Sequence, residues 1–274
     1  TLGGKLQALF LMRDGNNLEN VTGKGTGAAG STKLTLTDTN CNDLNKLYIP
    51  AENGVVKIGA MEYHYSSFSC TVKDGKYTYE FELTTPLSKG VNGEDVEIGK
   101  SVTTKGIPFY MNQLTNFART YASNFNKIHN DGQDMNGDAG VDFFTGNQAN
   151  STRQYEFDDT VKDFTFKSVV DPDADKNAND NLNATYYSIT CKNFTVNKTI
   201  VGDPNKIACT SKIVDGVSKN EILEKLVGLK TDTSMFKQGT PDMFLQKLTT
   251  DSGTDAKKAT IFTKSQENIL KVVD

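Results

Sequence analysis

Residues 107–128 read IPFYMNQLTNFARTYASNFNKI, and the spacing of the apolar side chains in this stretch decides the predicted fold. Apolar or aromatic residues recur at alternating intervals of four and three, as on one face of a long amphipathic helix. This heptad stripe consists of Ile107, Met111, Leu114, Ala118, Tyr121, Phe125 and Ile128. Pro108 suits the first helical turn, and the Asn-Asp-Gly sequence at 130–132 commonly ends a helix. A helix of this length, roughly 33 Å, must bury its stripe against other helices.

The period of the pattern changes to two in residues 18–105, where apolar and polar side chains alternate in short runs. The clearest runs are residues 34–37, 55–58, 63–72 and 77–83. Asp74 and Gly75 separate the last two runs, and an Asp-Gly pair at this place is a strong hairpin signal. We therefore predict an inserted antiparallel β domain at 18–105, with a flexible linker at its glycine-rich residues 23–30.

Helical patterns enclose this β domain and return near the C-terminus, while residues 149–199 contain further strand-like runs such as 186–189. The predicted fold class is α+β, an elongated helical bundle (rod) domain with inserted antiparallel β modules. The discontinuous rod domain consists of residues 1–17, 106–148 and 200–274. Residues 149–199 form a second β region that packs on the rod or on the β domain.

The composition excludes some classes of partner. The formal net charge is −4, which disfavours nucleic acid and anionic membranes because both select basic surfaces. No apolar run approaches the roughly 18 residues of a membrane-spanning helix, and no secretory signal is visible. Because the sequence begins with Thr1 and Leu2 already inside an amphipathic pattern, we expect it to be an excised part of a longer chain.

One acidic loop is a weak candidate for a calcium site. Its possible ligands are Asp134, Asn136, Asp138 and Asp142. An EF-hand loop requires Gly and Glu at two places where this chain has Ala139 and Thr145. The favoured interpretation is therefore an Asx-rich turn that holds no metal.

The histidines and cysteines form no catalytic pattern. His129 lies at the C-terminal end of the predicted long helix, where the helix dipole favours a cation, and His64 lies on a strand. The cysteines are Cys41, Cys70, Cys191 and Cys209. They contain no CxxC pair, so thiols are favoured, although disulfide pairing stays open. We predict no enzyme, no catalytic residue and no cofactor, and a metal-dependent hydrolase ranks last among the possible functions.

Four segments carry a resemblance to a known family. They are GGKLQALFLMRD at 3–14, the long helix with its IP, QL, NFN and IH pairs at 107–129, the loop at 132–144 that ends in DFF, and FTVN at 194–197 followed by DPNKIA at 203–208. In this order they resemble the hook-associated protein 1 family, which forms the junction between flagellar hook and filament. MFKQGTP at 235–241 and QENIL at 266–270 are similar to clostridial members in particular.

The resemblance implies a structural subunit of the bacterial flagellum. Family members are exported by the flagellar type III system and form an extracellular ring between hook and filament. They associate with each other through terminal helices that lie outside this sequence, so we expect the chain alone to be a monomer. The implied partners are the adjacent hook protein, a second junction protein and an export chaperone that binds beyond residue 274. Residues 18–105 depart from the shorter family members, so the resemblance says least about them.

An alternative function assigns recognition to the β domain. In this hypothesis residues 18–105 form a surface-exposed binding module for a glycan or a host protein, carried on a helical stalk. Exposed aromatic rings motivate it, since flat faces suit sugars. The candidates are Tyr63, Tyr65, Tyr77 and Tyr79. Residues of equal parity on a strand are also typical of cross-strand packing, so a core role for the same tyrosines stays open.

Overall fold

The alternating pattern of residues 20–101 folds into a closed antiparallel β barrel. The computed structural model describes residues 4–14, 20–41, 47–50, 54–101, 105–148, 152–157, 186–213 and 219–273. The strands are β1 Asn20–Gly27, β2 Lys33–Thr37, β3 Leu47–Tyr48, β4 Gly54–Ile58, β5 Met61–Lys73, β6 Lys76–Leu83 and β7 Val91–Ser101. Six strands follow the order β1-β2-β6-β5-β4-β7, and β7 pairs with β1 to close the ring, while β3 extends the end of β7. The predicted antiparallel β module is confirmed.

The barrel core comes from the inward positions of the alternating runs. Its most buried members include Leu34, Leu36, Val56, Tyr65, Tyr79, Phe81, Val96 and Ile98. The predicted hairpin joins β5 to β6, and both turn residues have left-handed backbone angles, with φ of 51° at Asp74 and 70° at Gly75. An Asp-Gly pair adopts these angles at low cost, and this turn fixes the register of β5 and β6.

The prediction of a flexible linker at residues 23–30 is wrong for its first half, because residues 23–27 belong to β1. The alternating glycines of β1 face the interior, where no side chain fits. A Cβ atom on Gly25 would lie 2.5 Å from Cγ2 of Val96, and one on Gly27 would lie 2.6 Å from Cδ1 of Leu87. These glycines therefore leave room for large neighbouring side chains to fill the barrel. Glycine content alone predicted a linker because it does not show this packing role.

Helices flank the barrel in the chain. They are α1 Gly4–Asp14, α2 Ile107–Asn130, α3 Lys198–Gly202, α4 Glu221–Gly228 and α5 Pro241–Val273. The predicted long helix is confirmed as α2, with Pro108 in its first turn. The Phe117 and Phe244 rings lie 5.6 Å apart, and the Tyr110 hydroxyl donates to Asp255 Oδ2 at 3.0 Å. These two contacts show that the first half of α5 runs antiparallel to α2.

The second β region departs from its prediction. Residues 186–188, predicted as part of a strand, form a 3₁₀ turn instead. The short strands β8 Phe144–Gly146 and β9 Phe194–Val196 pair with each other and lie on α2, with the Phe144 and Tyr121 rings 6.0 Å apart. Strand-like runs at 158–185 lie outside the described residues. A turn replaces the strand because Tyr186 and Ile189 enter the same core and Tyr187 enters another, whereas residues 186 and 189 of a strand would face opposite sides.

The α+β class is thus established, with a barrel and two long helices of 24 and 33 residues. The arrangement as an elongated rod and the division into domains at 17/18, 105/106, 148/149 and 199/200 stay predictions. Among the described helices, none combines the length and the apolar character that crossing a membrane requires.

Candidate functional site on helix α2

The heptad stripe of α2 divides into a covered half and an exposed half. Tyr121, Phe125 and Ile128 pack against a cluster formed by Leu229, Met235, Phe236 and Phe244. Toward the N-terminus of α2, Ile107 is 50% exposed and Leu114 is 40% exposed. The expectation that other helices bury the whole stripe is therefore wrong at these two residues within the described structure. Ala118 is buried, but in a separate cluster with Tyr186 and Ile189.

The most deeply buried face of α2 is polar, a feature that the sequence analysis missed. Its members are Asn112, Thr115, Asn116, Arg119, Thr120, Ser123, Asn126 and His129. These residues also recur at intervals of three and four, beside the apolar stripe. A second run of heptad-spaced Asn, Thr and Ser within an amphipathic helix is the signal that could have predicted this face, because such side chains can satisfy the backbone of loops that pack on them.

Asn126 attaches the residues that lead into β8 to α2. Its amide oxygen accepts hydrogen bonds from the backbone N–H groups of Phe143 at 3.0 Å and Phe144 at 2.8 Å. Its Nδ2 donates to the Phe144 carbonyl at 2.8 Å. One fully buried side chain thus satisfies three backbone groups at the entry to β8, and it places the rings of Phe143 and Phe144 against Phe125, each 4.9 Å away.

His129 is buried and structural, with both ring nitrogens engaged. Nδ1 donates to the carbonyl of Val141 at 2.7 Å, and Nε2 accepts the N–H of Ala208 at 2.9 Å. This pair of bonds requires a neutral imidazole with its proton on Nδ1. Burial lowers the pKa of His129, against a smaller raising effect of the Val141 hydrogen bond. The predicted position at the end of the helix is confirmed, but the ring joins α2 to two following segments as a neutral group and not as the cation that the helix dipole favours.

The candidate calcium loop holds a lysine ammonium between two of its carboxylates. Oδ1 of Asp134 accepts the backbone N–H groups of Asn136 at 2.8 Å and Asp138 at 2.9 Å, which is an Asx turn. Lys206 Nζ then lies 2.8 Å from Oδ2 of Asp134 and 2.7 Å from Oδ2 of Asp138. The fourth candidate, Asp142, accepts instead from Asn130 Nδ2 at 2.8 Å.

The electrostatics of this loop follow from the lysine. The hydrogen bond from Lys206 lowers the pKa of Asp134, and the carboxylates of Asp134 and Asp138 raise the pKa of Lys206. Within the described part of the chain, no three His, Cys, Asp or Glu side chains are grouped as metal ligands. The Lys206 ammonium therefore balances the charge of the buried Asp134 carboxylate and connects the loop to the 3₁₀ turn Pro204–Lys206.

The tyrosines that motivated glycan binding belong to the barrel core. Tyr63, Tyr65, Tyr77 and Tyr79 are all buried. The Tyr65 hydroxyl donates to the carbonyl of Pro50 at 2.7 Å. The description of these rings as exposed stacking faces is thus wrong, and the parity of the strand positions explains why, since all four point inward. His64 lies between Tyr63 and Tyr65 on the outer face. The four cysteines are thiols in the structure.

Comparison with known proteins leaves the family open. No protein-family model and no curated protein matches this chain. The resemblance to hook-associated protein 1 therefore stays a prediction drawn from the residues themselves.

Among the described helices, α1 and α5 present the largest groups of apolar side chains to solvent, and these surfaces suit protein contacts. On α1 they are Leu6, Leu9, Phe10 and Met12, and on α5 they form the distal α5 patch, which consists of Ile261, Phe262, Ile269, Leu270 and Val272. Because Asp255 already contacts Tyr110 near the N-terminus of α2, the patch lies beyond the end of α2 along α5. Its five large side chains on one helix make an exposed apolar surface of the kind that marks interaction sites.

Proposed function

We propose that this protein is a structural subunit of the bacterial flagellum that contributes to the junction ring between hook and filament. The proposal combines the ordered sequence resemblance with one structural observation, the distal α5 patch. A subunit that assembles through helix packing needs apolar helical surface left over after its own core is complete. The Tyr186–Ser188 turn, the Asn126 contacts and the Lys206 ion pairs stabilise the fold of the subunit itself.

The length of helix α5 supports this role. Helix α5 alone is about 50 Å long at 1.5 Å per residue, and α2 covers only its first half. We propose that the helices form a rod which carries the barrel outward, with self-association in the ring through helices that the resemblance adds outside this sequence. The proposed partners are the hook protein, a second junction protein and an export chaperone, and the proposed location is the extracellular flagellum after type III export.

Genetic complementation tests the proposal. The whole gene that encodes this chain is expressed in a flagellated clostridial strain that lacks its hook–filament junction protein, and filaments are counted by electron microscopy. We expect the gene to restore filaments and swimming. Export of the protein into the medium without any filament would contradict the proposal, because the subunit would then be present and unable to join hook to filament.

A matched pair of variants tests the patch within the same assay. Phe262→Gln with Ile269→Gln removes apolar surface from the distal α5 patch, and we expect loss of filaments with export preserved. The control is Val227→Gln on α4, which removes an equally exposed apolar side chain from a different surface. Full filament formation by the double variant would overturn the use of this patch in assembly.

A further inference from the structure

The short segment at residues 186–190 belongs to two hydrophobic cores at once. Tyr187 is buried in the barrel core, whereas Tyr186 and Ile189 are buried in the cluster that contains Ala118 and Ala122 of α2. The 3₁₀ turn makes this division possible, because residues three apart in such a turn point the same way, so Tyr186 and Ile189 share one side while Tyr187 points about 120° away. The segment therefore touches the barrel with one side chain and α2 with those on either side of it.

Tyr187 enters the barrel as a polar-tipped aromatic anchor. Its hydroxyl donates to the carbonyl of Ile49 at 3.0 Å, next to the short strand β3. Its ring meets Phe68 of β5 edge to face, with centroids 5.3 Å apart. A buried aromatic ring with a satisfied hydroxyl combines a large buried area with one defined orientation, so the residue fixes position as well as adding stability.

Arg119 holds the other side of the same turn. Its guanidinium carbon lies 3.8 Å above the centre of the Tyr187 ring. Nε donates to the carbonyl of Ile189 at 2.6 Å, and Nη2 donates to the carbonyl of Tyr187. Burial lowers the pKa of Arg119 to about 10, so the group keeps its charge at neutral pH. The rigid fork of a guanidinium suits this grip, since one planar group binds two carbonyls and an aromatic face together.

We infer that Arg119 and Tyr187 form a mechanical coupling that fixes the β barrel to helix α2, so that barrel and helices move as one rigid body. Tyr187 is buried in the barrel core, its ring contacts the guanidinium of Arg119, and Arg119 belongs to α2. Buried contacts therefore connect the barrel to α2 through this one tyrosine. Domains joined only by a chain connection move independently by default. The coupling belongs to the chain by itself, whether or not the chain assembles with other subunits.

Residual dipolar couplings of the backbone amides, measured by NMR on the whole chain, test this coupling. In the unaltered protein we expect one alignment tensor to fit the amides of the barrel and those of α2, α4 and α5 together. In Tyr187→Leu we expect separate tensors for barrel and helices, because the ring that bridges them is gone. Two tensors in the unaltered protein would overturn the inference, as would a common tensor in a folded Tyr187→Leu variant.

Two further variants separate coupling from stability. Tyr77→Leu removes a buried tyrosine ring of the same barrel core, and we expect it to lower the melting temperature of the barrel while the common tensor is preserved. Arg119→Lys keeps the charge and the helix but cannot span both carbonyls, so it tests the coupling even where Tyr187→Leu fails to fold. We expect the common tensor to be lost in Arg119→Lys, and its retention there would contradict the role of the guanidinium fork.

Discussion

The barrel and the surroundings of α2 bury their residues by opposite rules. In the barrel, strands pair with each other through their backbones, so inward side chains need only be apolar and of the right volume. Around α2, the covering segments at 141–146, 186–193 and 207–210 include little regular structure, and much of their backbone must find partners elsewhere. Asn126, Arg119 and His129 provide those partners. A helix covered by irregular chain therefore turns polar residues inward.

A substitution inside the barrel tests the first rule most severely. Gly25→Val adds branched volume where even a Cβ would lie 2.5 Å from Val96. We expect a loss of at least about 3 kcal/mol in the free energy of unfolding, or failure to fold, because overpacking cannot be relieved within a closed ring of strands. Urea denaturation followed by circular dichroism measures the change.

The control for this substitution lies one residue earlier on the same strand. Lys24 is exposed and pairs with Asp95 on the surface at 2.7 Å. Lys24→Val therefore introduces the same side chain on the outward face, and we expect a change within about 0.5 kcal/mol. Equal destabilisation by the two variants would contradict the assignment of the Gly25→Val effect to the lack of interior space, because valine suits the strand backbone at both positions.

Replacing a buried polar residue of α2 tests the second rule. Asn126→Leu puts an apolar side chain of similar size on the buried polar face of α2. It leaves the N–H groups of Phe143 and Phe144 and the Phe144 carbonyl without their side-chain partner. Unsatisfied buried groups cost about 1–3 kcal/mol, so we expect a loss of about 2–3 kcal/mol despite the gain in apolar area. The measurement is again the urea midpoint with an unchanged slope.

Asn124 offers the matched comparison, since it lies on the same helix and its Nδ2 bonds only locally, to the Thr120 carbonyl at 2.8 Å. Asn124→Leu keeps the change in chemistry but affects no loop backbone through that bond. We expect it to cost less than Asn126→Leu by about 1 kcal/mol or more. An Asn126→Leu protein as stable as the unaltered chain would break the distinction between the two regions.

These two rules explain how much of the molecule could be predicted from sequence. Alternation located the barrel strands, and Asp74-Gly75 located a hairpin, because strand pairing depends on local patterns. The heptad spacing located α2 for the same reason. Which face of α2 is buried depends on Phe143, Tyr187 and Ala208, which reach the helix only through the tertiary fold. The glycines of β1 were misinterpreted because their role depends on Val96 and Leu87, distant in sequence.

The pH dependence of stability tests the buried polar face of α2 through His129, and its expected effect is smaller than those of the substitutions above. The folded pKa lies below the ordinary 6.5, so the folded state binds fewer protons than the unfolded state once the pH falls below that value. Stability from this group is fully present above pH 6.5 and is lost as the pH falls toward the folded pKa. The slope is at most about 1.4 kcal/mol per pH unit for one proton.

Urea midpoints between neutral pH and pH 5 detect this slope. Asp134 has a lowered pKa of its own, so its contribution is lost at more acidic pH, below this window. His129→Gln removes the titrating ring, and we expect its stability to vary less with pH in the same window. A His129 pKa of 6.5 or above by NMR would contradict the neutral, buried assignment.

The smallest expected effect on stability belongs to the distal α5 patch, where neither rule of burial applies within the chain. Phe262 is 66% exposed, so Phe262→Gln removes little buried area, and we expect a change within about 0.5 kcal/mol in the free energy of unfolding. Phe236→Gln is the matched comparison, because that ring is buried and stacks on Phe117 at 5.3 Å. Phe236→Gln should cost about 3 kcal/mol or more.

A large loss of stability from Phe262→Gln in the isolated chain would mean that the patch is covered intramolecularly, and it could then no longer serve as assembly surface. A negligible loss, together with loss of filaments in the complementation assay, would separate the two uses of apolar side chains on one helix, folding at its start and assembly at its end.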